Sequence, residues 1–224
     1  MSRPAAIVSP RAPHAFSLME LITVVAIISI VATLVISSVN GFGRSAALTT
    51  SGNRVVNLAT LARQTAVSKN TMTALVLLAN QGTDHDYRAF TVMVYDRNAG
   101  WSQVGEWELL PDGIVVDRND LTVCSILDNS PQPFPFLNRD PQQTNPPVFY
   151  KGQQLKNPDG YAARIFLPTG ALQNPEKSAQ IRVVEGFPNG SKVAYTHGNG
   201  AGGPANYYDI AIIGLSGITK ISRP

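Results

Sequence analysis

A single cysteine, Cys124, excludes any internal disulfide. It stands in the apolar run Leu121–Leu127 and reads as a small buried hydrophobe. Histidine is scarce too: His14, His85 and His197 are the whole set, and no Cys/His spacing of the structural-zinc kind accompanies them. There is no Gly-x-Ser-x-Gly elbow and no P-loop. The run Gly198-Asn199-Gly200-Ala201-Gly202-Gly203 neither follows a strand nor opens a helix, so it makes no phosphate cradle. Asp84-His85-Asp86 and Asp117-Arg118-Asn119-Asp120 bring carboxylates together. The second lacks the terminal Glu of a calcium loop, and both read as turns. No catalytic set, metal site or cofactor is expected, and the chain does not read as an enzyme.

Charge is also sparse. Charged residues make up 15% of the chain and hydrophobic ones 44%, a globular rather than a disordered composition. From Leu21 to Gly43 there is no charge at all, a run of 23 residues. About 20 apolar residues cross a bilayer as a helix, so this run is long enough to span. Proline is absent from His14 to Leu110, which removes the commonest cause of a kink; softening would fall to Ser37, Ser38, Gly41 and Gly43.

What precedes the run is as informative. The leader Met1–Ala15 carries Arg3 and Arg11 and no acid, so it stays cytoplasmic and the C-terminal bulk faces outward. Phe16 follows, and Glu20 stands at the head of the apolar run. An acid there costs roughly 2.5–3.5 kcal/mol on insertion scales and calls for a partner. Cleavage after Ala15 would free an α-amine on Phe16, with a reference pKa of about 7.7–8.0, mostly cationic at neutral pH. Two other readings remain. A cleaved secretory signal would have a shorter apolar core and a small-residue site after it, for which Ser45-Ala46-Ala47 is the nearest candidate. An ordinary signal anchor would carry Glu20 by accident.

Ala15, Phe16, Ser17, Leu18, Met19, Glu20 and Leu21 together resemble the processing and methylation signal of type IV pilins and type II secretion pseudopilins. The resemblance implies a membrane peptidase, the prepilin peptidase, that cuts between Ala15 and Phe16 and methylates the Phe16 amine. It implies Glu20 as the assembly residue. It further implies, as partners, other pilin or pseudopilin subunits and an inner-membrane assembly platform. The family's usual residue before the cut is Gly, where this chain has Ala15. The helix end Leu61-Ala62-Arg63-Gln64-Thr65-Ala66 leading into an apolar strand, with Ile165-Phe166-Leu167-Pro168-Thr169-Gly170, is similar to H-type minor pseudopilins and FimT-like proteins. Pilin-like proteins called Verru_Chthon cassette protein D are also similar at the N-terminus.

The expected organisation is α+β, a pilin-like arrangement. It comprises a leader over 1–15, a membrane-spanning half-helix over 16–43, an amphipathic half over 44–70 and an outward β-rich domain over 71–224. Leu48, Val55, Ala59, Ala62 and Ala66 fall at helical steps and form the stripe that would lie on a sheet, with Gly52 weakening the helix by about 1 kcal/mol. Strands are predicted over 72–78, 87–95, 101–110, 114–116, 121–126, 163–167, 180–184, 208–213 and 218–221. Two stretches read as long loops. Residues 128–160 hold seven prolines, and residues 186–206 hold six glycines. They are the candidate surfaces for the alternative function, an outward binding module for a secreted substrate, surface ligand or DNA. Loss of Arg3 and Arg11 with the leader lowers the formal charge from +3 to +1, which implies no broad nucleic-acid-binding surface. Lys220 and Arg223 read as a solvated tail. The protein is expected in the inner membrane as a single-pass subunit, C-terminal domain in the periplasm, entering a periplasmic or surface filament.

Overall fold

The computed structural model describes residues 17–128, 148–155, 160–190, 192–200 and 202–223, with backbone only for 33–42 and 44. One helix, α1 (Leu18–Ser68), dominates the N-terminal third. The chain forms two compact units, Met1–Gly43 and Arg44–Pro224. In the first unit the side chains from Ser17 to Ala32 are all exposed, as befits an apolar helix with nothing of its own to pack against. Among the described residues no helix is long and apolar enough to cross a membrane; the fully described part of the charge-free run ends at Ala32.

In the second unit α1 behaves as its periodicity demands. Leu48, Val55, Ala59, Ala62 and Ala66 are all buried, and Ser51, Gly52, Leu58 and Thr65 fill the steps between them. Fully burying a Leu or Val contributes about 1.5–3 kcal/mol, so the stripe fixes the helix to the domain more firmly than helix propensity does. The helix stops at Asn70, which takes a left-handed φ of 48°. The Thr71 N–H then reaches the Ala66 carbonyl at 3.1 Å and the Asn70 N–H the Val67 carbonyl at 3.3 Å, the paired bonds of a Schellman cap.

Among the described residues eleven strands follow: β1 (Thr73–Leu78), β2 (Ala89–Asp96), β3 (Gly100–Leu109), β4 (Ile114–Val116), β5 (Phe149–Tyr150), β6 (Gln153–Gln154), β7 (Tyr161–Phe166), β8 (Ala179–Asn189), β9 (Lys192–Tyr195), β10 (Tyr207–Ile212) and β11 (Thr219–Ser222). The first sheet runs β3-β2-β1-β7 and the second β11-β10-β8-β4, with β9 paired to the far end of β8; every pairing is antiparallel. The main core lies between α1 and both sheets and includes Leu75, Leu77, Phe90, Phe166, Ile181, Val183, Ile210 and Ile212. The architecture is α+β: an N-terminal helix on an antiparallel β domain.

β1 is buried on both faces. Leu75 and Leu77 meet the helix-side core, while Ala74, Val76 and Leu78 join a second cluster with Met93, Trp101 and Tyr161 behind the sheet. Val148, Tyr150 and Leu155 belong to that second cluster. The end of the proline-rich stretch is therefore a cover for the sheet and carries the small β5–β6 hairpin, where sequence periodicity showed only loop. Residues 129–147, and the cleavage pair Ala15 and Phe16, lie outside the described residues.

Two other expectations are corrected. Residues 121–126 form no strand; they make a turn that runs into a 3₁₀ helix, Ser125–Leu127. Asp120 bends the chain there, its Oδ1 accepting from the Thr122 N–H at 2.9 Å and from the Thr122 hydroxyl at 2.5 Å. Cys124 and Ile126 are fully buried, so the alternation that imitated a strand reports packing between the sheets rather than pairing. The glycine-rich stretch is also partly strand: β8 continues to Asn189 and turns back as β9. Gly186 permits this, because a Cβ there would lie 2.6 Å from the Ala194 carbonyl oxygen.

Candidate functional site

Ser17 opens α1 by accepting the Glu20 N–H on both its side chain, at 3.2 Å, and its carbonyl, at 3.1 Å. Ser17-Leu18-Met19-Glu20 has the Ser-x-x-Glu spacing of a capping box. That spacing is legible in the sequence itself. The cap places the Glu20 carboxylate in the first turn, at the positive end of the helix dipole. Glu20 is exposed and makes no ion pair among the described residues, so its charge is open to a neighbour.

On the β domain the described parts of the two long stretches are anchored by side-chain contacts. Tyr150 bonds the His85 ring through its hydroxyl, and the two rings meet edge-on with centroids 5.9 Å apart. Trp107 packs edge-on against Tyr150 and donates its indole N–H to the Phe149 carbonyl at 2.9 Å. Asp86 closes the turn that carries His85, accepting the Gly82 N–H at 2.8 Å and the Thr83 hydroxyl at 3.2 Å. Asp84-His85-Asp86 is therefore a bracing turn. Among the described residues no three His, Cys, Asp or Glu side chains converge as a metal site would require.

Asp117-Arg118-Asn119-Asp120 is the second brace. Asn119 bonds both backbone groups of Val193, donating to its carbonyl at 2.8 Å and accepting its N–H at 2.9 Å, which ties β9 to the end of β4. Asp117 is buried; it accepts the Tyr195 hydroxyl at 2.9 and 3.0 Å and the Asn119 N–H at 3.0 Å. Burial raises its carboxyl above the ordinary 3.8, with these hydrogen bonds and Arg182 pulling the other way. Burial likewise pushes the Tyr195 hydroxyl up to about 12. Arg182 is held beside them by Asp209, at 2.6 and 2.7 Å, and lies 3.9 Å over the Tyr207 ring. His197 approaches the buried Glu185 at 3.6 Å. Cys124 is fully buried, and desolvation pushes its thiol up to about 12, so it is an unreactive hydrophobe.

The C-terminal residues depart from a solvated tail. The Arg223 guanidinium donates to the Thr49 hydroxyl on α1 and lies 4.6 Å over the Tyr208 ring. Lys220 stands exposed on β11.

No family model matches the chain, and no curated protein matches it. Solved structures do. The minor pseudopilin EpsH from the type 2 secretion system of Vibrio cholerae is similar in two structures, at TM-scores of 0.42 and 0.41. Each is 10% identical, over 79% and 80% of this chain and 97% of that one. The type IV minor pilin FimU of Pseudomonas aeruginosa is similar at a TM-score of 0.43 and 10% identity, over 82% of this chain and 96% of that one.

Proposed function

We propose that the chain is a pilin-like structural subunit, a minor pseudopilin of a type II secretion or type IV pilus-like filament, with no catalytic role. The observation that carries this reading is the start of α1. A serine cap sets Glu20 in the first turn, a charge-free run follows, and the same helix continues into the core of the outer domain. In this reading the prepilin peptidase cuts between Ala15 and Phe16 and methylates the new amine. The run to Gly43 holds the subunit in the inner membrane until an assembly platform moves it into the filament.

Assembly is then an electrostatic pairing made in apolar surroundings. An unpaired carboxylate buried in a helix bundle is strongly disfavoured, whereas the Phe16 amine of an adjacent subunit neutralises it and fixes the axial register. Mass spectrometry of the mature N-terminus tests the first step: the chain should begin at Phe16 and carry one methyl group. A chain beginning at Met1, or beyond Gly43, overturns the reading. For the second step, Glu20→Ala should insert in the membrane normally and fail to enter filaments; normal incorporation would count against the pairing.

A second reading, an outward binding module on the same anchor, is favoured by two half-exposed aromatics. Phe149 and Phe187 remain 50% and 55% exposed on the two hairpins. The pair Phe149→Ala and Phe187→Ala would then keep filament incorporation and lose secretion or adhesion. Retention of both sinks this reading.

A further inference from the structure

The outer domain carries opposite charge on the two flanks of α1. No acid occurs from Leu21 to Thr83, nor after Asp209, and these segments hold Arg44, Arg54, Arg63, Lys69, Lys220 and Arg223. The remainder, Asp84 to Asp209, has fourteen acids against ten cations. The fold turns this sequence bias into geometry. Arg54 and Arg63 are nine residues apart, about two and a half helical turns, so they point to opposite flanks.

On one flank Arg63 donates to the Ser216 carbonyl at 2.7 Å and Arg223 reaches back to Thr49. The C-terminal segment thus runs antiparallel along the helix and makes β11 the edge of its sheet. Lys220 and Arg223 are exposed there without an ion pair among the described residues, and Asp209 nearby is taken by Arg182. Ile218 and Ile221 are half exposed beside them. On the other flank β3 is the edge of its sheet, and Arg54 donates to the Leu109 carbonyl at 2.5 Å. Trp107 turns to the back of the sheet and Glu108 faces the other way, toward α1, while Glu106 stands exposed beside it in the bulge of β3. Glu108 meets Arg54 only at 3.7 Å with both half exposed, and Glu106 is exposed with no ion pair among the described residues. A cleft of about 370 Å³ opens between this edge and the helix, floored by Leu58 and Leu61 and lined by Asn53 and Asn57.

We propose that the β11 edge of one copy docks on the β3 edge of a second copy of this chain. Arg223, on the helix-side face of the edge with Ile221, meets Glu108, Lys220 reaches Glu106 from the other face, and Ile221 enters the cleft over Leu61. The two surfaces differ, so the contact is head-to-tail. Such a contact either closes a ring or propagates as an open array. The inference deepens the filament-subunit reading by naming a lateral contact between outer domains, separate from the N-terminal helix.

The test uses the full chain in membranes of cells that express it. Cys124 is buried and does not cross-link, so introduced cysteines report alone. The double variant Glu106→Cys with Ile221→Cys should give a ladder of dimers, trimers and higher species on mild oxidation, and neither single variant should give any. Lys220→Glu with Arg223→Glu, added to an Ile221→Cys chain, should abolish its cross-link to a Glu106→Cys chain. Glu108→Lys in the Glu106→Cys chain should restore it, which separates charge from misfolding. No ladder, dimers from a single variant, adducts only with other proteins, or indifference to charge reversal overturns the contact. The same samples report the parent reading. A matured, membrane-bound chain without a ladder overturns only the lateral contact, whereas a ladder from an uncut, unanchored chain overturns the pilin-like reading alone.

Discussion

Gly52 shows how one residue changes meaning between sequence and fold. By propensity it is a defect, and alanine would add about 1 kcal/mol to the helix. In the fold a Cβ at this position would run into the Tyr208 ring, which is itself buried and roofed by Arg223. Overpacking costs about 1–3 kcal/mol, so the clash outweighs the propensity gain. Gly52→Ala should lower Tm by about 2–4 °C in a thermal melt. Asp117 yields a signed pH prediction. Its folded carboxyl lies above 3.8, so the folded state prefers it protonated. The stability this contributes is complete below 3.8 and is lost as pH rises through the higher folded value. Asp117→Asn keeps an acceptor for Tyr195 and removes the titration. Melts across the acid range should therefore show the variant gaining on the parent as pH rises; parallel curves would refute the assignment.

Among elements, legibility followed periodicity. The stripe Leu48, Val55, Ala59, Ala62 and Ala66 was readable because nineteen residues of helix repeat one rule, and all five are buried. Two-residue strands such as β5 and β6 repeat nothing, so their part of the proline-rich stretch could not be distinguished from loop. Residues 121–126 erred the other way: burial on alternate residues imitated a strand that has no partner. Glu20 is legible by position, and the Ser-x-x-Glu spacing carries its cap on Ser17. The hidden cover has a measurable weight. Tyr150 is buried against Trp107 and His85 behind the first sheet. Removing a buried aromatic costs about 3–5 kcal/mol, so Tyr150→Ala should shift denaturant midpoints strongly without changing the helix signal in circular dichroism.

At the scale of the whole molecule, these elements decide how the binding-module idea is to be tested. Excision of 128–160 treats the stretch as one dispensable loop, and the fold shows otherwise. The Asp128 carbonyl accepts from Arg164 at 3.2 Å, and Val148, Tyr150 and Leu155 close the cluster behind β1. Losing them would bare Ala74, Val76 and Leu78, and every function would fail together through unfolding. Replacing only 129–147 by a glycine-serine linker of equal length keeps loop closure nearly constant and spares the cover. This replacement should leave Tm within about 2 °C of the parent, since Val148, Tyr150 and Leu155 already close the cluster behind β1. The same treatment of 148–155 should lower Tm several times further. If the two replacements melt alike, the hairpin does not hold the sheet. If the first melts normally, enters filaments and still loses secretion or adhesion, recognition resides in the insert.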